Sequence, residues 1–436
     1  MQVTGDASVR KSGGVVSVTV RNVHAVEILD SRSRPTLSVT LEAGDGLRVH
    51  AGVPAGASTG SREAVERRDG DPKRYSGQGV LGAVSSVNGE ILEAFRDRSF
   101  QSLADLDHAL IDLDGTENKS RLGANAIVGV SIAASRAFAA VAGTSLWESF
   151  VGSVNSPRLP VPHFNVLNGG VHALNQLDFQ EFMLAPLGAP TIAEAVRAGS
   201  EVYAALRGLL NSRGLAVGLG DEGGFAPEIT QPEQALELLV EAISVAGYTA
   251  GREGIAIAID PASSEFYRDG VYHVAGVAYS SDEMIARYAE IIERFPVWLL
   301  EDGLAESDWD GWQQLTQRLG DKVELVGDDI FCTNPTIIGE AISGKVANAS
   351  LIKVNQIGTV TETIDAMRVC RDAGYAQFVS HRSGETEDSF IADFAVGTGA
   401  GHMKTGAPAR GERVAKYNRL IEIADDDGTS LPYGLG

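Results

Sequence analysis

Six short apolar runs in the second half of the chain each end in a charged or hydrogen-bonding residue. The run 255–259 leads into Asp260, 297–300 into Glu301 and Asp302, and 323–327 into Asp328 and Asp329. The run 349–352 leads into Lys353, 377–380 into His381 and Arg382, and 400–403 into Lys404. They recur roughly every 25–40 residues, the spacing of one βα unit in a TIM-type barrel. A brief apolar run bounded by polar residues suits a strand buried on both faces. Strands closed into a ring, with helices outside, bring their C-terminal ends to one face. Three carboxylates, two lysines and an arginine then converge, a set suited to a divalent metal, an anionic substrate and proton transfer.

The length of 436 residues accommodates a small domain and a barrel, and 44% hydrophobic residues supply a large core. No stretch reaches the roughly 18 consecutive apolar residues of a membrane span. The polar, mixed residues 1–14 lack the apolar core of a signal peptide, so residues 1–15 are expected to form a disordered extension of a cytoplasmic protein. Cys332 and Cys370 are too few for a disulfide framework and are expected as buried free thiols. The net charge of −22 argues against a nucleic-acid partner, which needs a basic surface.

Strands are expected at 16–21, 37–41 and 48–53, with a hairpin turn at Gly44-Asp45-Gly46. A loop of small residues, 55–60, and helices at 79–96 and 124–142 follow. This pattern describes an α+β domain over 16–152, a proline-bearing linker at 153–162, and a barrel over 160–436 whose helices include 232–246 and 281–295.

Asp260, Glu301 and Asp328 are the candidate metal ligands, because hard Mg²⁺ favours a few carboxylates completed by water and substrate oxygens. One such acid alone is as well explained by a helix cap or an ion pair; three at successive strand ends are not. Lys353 begins in apolar surroundings, where desolvation and nearby metal charge would lower its pKa and make it a base. Lys404 and the pair Arg382-Ser383 suit an anion, since guanidinium presents a planar fork to phosphate or carboxylate. Glu222 occupies a glycine-flanked turn and Glu181 ends another acidic segment. If they approach, repulsion raises one pKa and keeps a carboxylic acid near neutral pH. The 55–60 loop is either a plain turn or a phosphate-holding lid, and lacks the lysine of a P-loop. His172 fits a substrate contact or a satisfied structural histidine.

Taken together, these segments resemble enolase, the phosphopyruvate hydratase family. The resemblance runs through Val53-Pro54-Ala55-Gly56-Ala57-Ser58-Thr59-Gly60, Asp114-Gly115-Thr116-Glu117-Asn118-Lys119-Ser120, Asn168-Gly169-Gly170 with His172, and Gln180-Glu181-Phe182-Met183. It continues through 220–227, 264–267, Lys353-Val354-Asn355-Gln356-Ile357-Gly358, 380–388 and 404–408, so it spans nearly the whole chain from about residue 18. It implies a barrel with an antiparallel second strand, a homodimer, and two Mg²⁺ ions per site. By the same resemblance Asp260, Glu301 and Asp328 bind metal and Ser58 helps hold the second ion. Lys353 removes the C2 proton of 2-phosphoglycerate, and Glu222, supported by Glu181, helps expel the C3 hydroxyl. Arg382 and Ser383 bind phosphate, Lys404 binds carboxylate, and His172, Gln180 and His381 line the pocket. A Lys base working beside Mg²⁺ is the general pattern of the enolase superfamily.

The chain departs from the family pattern beside these residues. Ser33-Arg34 replaces Gly-Asn, Ala55 replaces a loop serine, Val171 and Leu174 replace Ser and Gly, Pro261 replaces an aliphatic residue, and Leu299 and Gly411 each replace a common serine. An alternative expectation is therefore a paralogue that keeps the enolisation machinery for a phosphonate or another phosphorylated substrate, such as carboxyphosphonoenolpyruvate synthase. A non-catalytic protein on the same fold is disfavoured by the complete set of catalytic residue types.

Overall fold

A computed structural model describes residues 16–44, 46–57, 60–426 and 431–435. The expected extension 1–15 and the proposed metal ligand Ser58 lie outside the described residues.

Alternation of apolar and polar residues builds the N-terminal sheet. It comprises β1 (Val18–Leu29), β2 (Pro35–Ala43), β3 (Leu47–Gly52) and β4 (Ser99–Phe100), in the order β3-β2-β1-β4. Leu37, Val39, Leu41 and Ala43 of β2 all face inward, as a strand period of two requires. Gly44 and Gly46, both at positive φ, close the β2–β3 hairpin. Helix Ala124–Ala142 lies over this face. Gly129 permits the approach, for a Cβ there would lie 2.5 Å from Val39 Cγ2. This helix is long and apolar enough to cross a membrane by length and composition alone, but Asn125, Ser131, Ser135 and Arg136 interrupt its apolar sequence, and it is mostly buried inside the protein as a core helix.

The barrel begins with β5 (Val161–Asn168), β6 (Glu181–Ala185) and β7 (Ala256–Asp260). A small antiparallel excursion follows, β8 (Tyr267–Arg268), β9 (Val271–Val274) and β10 (Val277–Tyr279). Then come β11 (Val297–Glu301), β12 (Glu324–Gly327), β13 (Ala349–Ile352), β14 (Ala376–Ser380) and β15 (Gly401–Lys404). The closed order is β11-β12-β13-β14-β15-β5-β6-β7. Only β6 runs against its two neighbours; all other pairs are parallel. Each expected barrel strand from β7 onward is present within a residue or so. The segment expected as linker overlaps β5, with Pro160 just before the strand and Pro162 at its second position.

Reversal of β6 matters for the chemistry. It brings the first residue of that strand, Glu181, to the face where the other strands end, in register with Asp260 on one side and Asn168 on the other. The barrel interior below is filled by Val161, Met183, Trp298, Leu351 and Phe378 among others. The N-terminal part meets this mouth through a two-hydrogen-bond bridge between Ala55 and Gly384 and through Asp388, which accepts from Gly52 N and pairs with Arg136.

Candidate active site

A small cavity opens at the barrel mouth. Its lining includes Asp260 and Lys404 at the ends of β7 and β15, Asp328, Lys353, Arg382 and Ser383 just beyond the ends of β12, β13 and β14, Glu181 at the start of β6 and Gln180 just before it. Glu222, His172 and His381 complete its polar wall. Glu301 is buried just beneath, hydrogen-bonded to Lys404.

The ammonium of Lys404 lies among three carboxylates. It donates to both oxygens of Glu301 at 2.7 and 2.9 Å and to Asp260 Oδ2 at 3.4 Å, and stands 3.2 Å from Glu181 Oε2. Burial opposes its charge, but Glu181, Glu301 and Asp260 outweigh burial and hold the Lys404 pKa well above the ordinary lysine value. Glu301, by contrast, is pushed up by burial and by Asp260. Neighbouring acidic groups reinforce the demand for positive charge: Asp302, Asp328 and Asp329 place ligand oxygens within 4.8 Å of one another. Asp302 accepts the backbone N–H groups of Asp328 (2.9 Å) and Asp329 (3.0 Å), fixing the loop that presents Asp328. The second such group is His172, Glu181 and Glu222, whereas the expected trio Asp260, Glu301 and Asp328 is more widely spread, with Lys404 between its first two members. Buried hard-oxygen donors with an excess of negative charge fit a divalent cation.

Lys353 donates to Asp328 Oδ2, and Gln356 Nε2 donates to Asp328 Oδ1 at 2.8 Å. The expected lowering of the Lys353 pKa combines desolvation with the charge of a bound metal. Burial does act in that direction, but contact with Asp328 outweighs it, and the pKa is raised. Asp328 is lowered in turn: burial works against its charge, and Lys353 and Lys404 prevail.

On the opposite wall, Glu181 and Glu222 flank His172, whose Nδ1 lies 3.7 Å from Glu181 and whose Nε2 lies 3.8 Å from Glu222. Their environments separate them. Burial and the Glu222 charge raise the Glu181 pKa well above the carboxylate range. Glu222 is buried too, but His381 and His172 hold it low. It accepts from Asn165 Nδ2 at 2.9 Å and lies 3.2 Å from His381 Nε2. Arg413, fully buried, donates through Nη1 to His381 Nδ1 at 2.6 Å. Because guanidinium only donates, His381 Nδ1 accepts, which leaves the proton of the neutral ring on Nε2, facing Glu222. Burial lowers the His381 pKa to about 4, so the ring is neutral at pH 7.

The Arg382 fork grips Glu63 bidentately, Nη1 to Oε2 at 2.9 Å and Nη2 to Oε1 at 3.1 Å. Glu63, Asn165, Asp302, Gln356 and Arg413 were not expected from sequence. Asp302 and Gln356 adjoin singled-out residues; for the others only the folded geometry reveals the contact.

A barrel with one reversed strand and an acidic mouth bearing paired groups fit for proton transfer suits metal-assisted chemistry on a small anion. Residues 20–150 match the family model described as the N-terminal domain of enolase, and 156–434 match its C-terminal TIM barrel domain. The chain is 50% identical over 417 residues to Enolase 1 of Chlorobaculum tepidum, covering 95% of this chain and 97% of that protein. The chain belongs to the enolase family, a family of metal-dependent hydro-lyases. None of these matches supports the phosphonate paralogue.

Proposed function

We propose that the protein dehydrates 2-phosphoglycerate to phosphoenolpyruvate, with the part spanning 16–152 capping a barrel over 160–436. One observation carries this reading: a lysine, a carboxylic acid pair and two further cations line one cavity at the barrel mouth. Arg382 and Ser383 hold the phosphate, and Lys404 holds the carboxylate. Lys353 takes the C2 proton. Its base form requires that Asp328 be drawn away, since Asp328 is what keeps the proton on the ammonium. The electron pair left at C2 spreads into the adjacent carboxylate, where Lys404 stabilises the growing negative charge.

Loss of the C3 hydroxyl then needs a proton. Glu181 and Glu222 supply it as a unit, because burial and mutual repulsion keep one proton on the pair near neutral pH. His381 and Asn165 hold the Glu222 carboxylate toward the cavity, while His172 and Gln180 complete the pocket wall. Asp260, Glu301 and Asp328 would hold Mg²⁺, with Ser58 contributing to a second ion, and the metal supplies charge neutralisation at the carboxylate and phosphate. We further propose a cytoplasmic homodimer or higher homo-oligomer, which light scattering of the purified protein checks.

The test is ultraviolet absorbance of protein mixed with 2-phosphoglycerate and Mg²⁺, since only the product carries the new double bond. A rapid rise, abolished by chelator, is expected. No rise from folded, metal-loaded protein would remove this reading.

A further inference from the structure

Glu63 comes from the N-terminal part of the chain, yet its carboxylate lies in the barrel mouth with a side chain only 8% exposed. Four donors converge on it. Oε2 accepts from Arg382 Nη1 at 2.9 Å; Oε1 accepts from Arg382 Nη2 at 3.1 Å, Gly60 N at 3.1 Å and Gln356 Nε2 at 3.2 Å. Gly60 packs closely on the barrel side: a Cβ there would lie 2.5 Å from Cys332 Sγ and 3.1 Å from the Asp329 carbonyl oxygen.

Gln356 divides its amide between Glu63 and Asp328 Oδ1, at 3.2 and 2.8 Å. Its own carbonyl oxygen accepts from Thr333 Oγ1 at 2.6 Å, and Thr333 Oγ1 accepts in turn from the backbone N–H of Lys353 at 2.9 Å. One carboxylate is thus joined to the phosphate-holding arginine directly, and through one glutamine to an expected metal ligand and to the backbone of the expected base. A bidentate carboxylate also fixes the plane of a guanidinium, which a single contact does not.

We propose that Glu63 is a positioning residue for substrate: it sets the orientation in which Arg382 meets the phosphate and ties that arm to Asp328 through Gln356. The proposal rests on the assignment of Arg382 to phosphate. It differs from a simple structural ion pair in what it predicts for phosphate itself.

The experiment compares the parent with Glu63→Gln and Glu63→Asp in the full chain with Mg²⁺. Three quantities are measured: calorimetric affinity for inorganic phosphate, the kcat and KM for 2-phosphoglycerate, and the Mg²⁺ half-saturation concentration. Glu63→Gln keeps the size but cannot accept the fork with both oxygens. It should weaken phosphate affinity and raise KM by about tenfold or more, the scale of one lost hydrogen bond to a charged group, while kcat falls by less than about threefold. The Mg²⁺ half-saturation should rise by a smaller factor, about twofold, because that link passes through Gln356. Glu63→Asp keeps the charge at a shorter reach and should fall between the parent and Glu63→Gln. If Glu63→Gln does not fold, Glu63→Asp carries the test, with phosphate affinity weakened by about threefold expected.

Phosphate affinity unchanged in the folded variant, or a loss confined to kcat, overturns the proposal. Phosphate binding is read without turnover. A parent that binds phosphate but does not dehydrate 2-phosphoglycerate therefore defeats the functional reading and leaves the role of Glu63 standing. A parent that binds neither overturns both.

Discussion

The mouth and the floor of the barrel each bury two histidines, and the same burial means different things in the two places. At the floor, His163 and His402 pack against Trp298 and Phe378, with the His402 and Phe378 rings stacked at 3.9 Å. Burial pushes His163 down to about 3 and His402 well below the ordinary imidazole value. Among the described residues, His163 Nε2 and His402 Nδ1 have no hydrogen-bond partner, and the same holds for His172 Nδ1 and His381 Nε2 at the mouth. At the mouth, burial also lowers His172 and His381, but each faces Glu222. There the shifts oppose one another across a few ångströms: Glu181 is raised, Glu222 lowered, Lys353 and Lys404 raised. A perturbed pKa alone does not mark chemistry. Neighbouring groups driven in opposite directions around one cavity do.

Substitutions can break that contrast. Lys353→Ala should reduce turnover of 2-phosphoglycerate by about 10³-fold or more while leaving the fold intact, measured by product absorbance and circular dichroism. Glu222→Gln should cost about 10²–10⁴-fold in kcat by the same assay, since it removes a group that exchanges protons in the reaction. The floor should respond in the opposite sense. Trp298→Ala should destabilise by about 3–5 kcal/mol in urea unfolding, through the cavity it leaves, with little change in KM. His163→Phe should alter turnover less than about twofold and change stability by no more than about 1 kcal/mol, because the loss of the unpartnered Nε2 offsets the loss of the 3.2 Å contact between Nδ1 and the Val161 carbonyl. A large catalytic loss from either floor variant would erase the distinction.

A buried acid remote from both regions sharpens the point. Asp107 accepts from Thr361 N at 3.0 Å and Oγ1 at 2.6 Å, yet burial pushes its pKa up to about 6. Its folded pKa exceeds the unfolded value, so the folded state binds more protons between about pH 4 and 6. The contribution to stability is therefore present at the acid end of this window and is lost as pH rises through about 6. Asp107→Asn should flatten that dependence by about 1 kcal/mol or more in chemical unfolding, with no effect on the pH profile of turnover.

The six barrel strands β7 and β11 to β15 were legible because a strand buried on both faces is a mostly apolar run, and a charged or hydrogen-bonding residue marks its end at the mouth. The antiparallel course of β6 was not legible in that way. Its apolar residues 182–185 look the same in either direction, and reversal came only from the resemblance. The β5 segment was hidden by Pro160 and Pro162, which suit a linker as well as a strand start. The contact between Lys353 and Asp328 is not legible in sequence, because the two residues lie 25 positions apart at the ends of neighbouring strands. Glu63 and Arg413 were invisible for a related reason. Their functional partners lie 319 and 32 residues away, and neither carries a local motif that points to them.

The central claim is a division of labour, with Lys353 as base and the Glu181–Glu222 pair as acid. Proton exchange at C2 of 2-phosphoglycerate in deuterated water with Mg²⁺, followed by nuclear magnetic resonance in Lys353→Ala and Glu222→Gln, tests it most directly. The account predicts that Glu222→Gln still exchanges the C2 proton while forming little phosphoenolpyruvate, and that Lys353→Ala does neither. Exchange that persists in Lys353→Ala and vanishes in Glu222→Gln would contradict it.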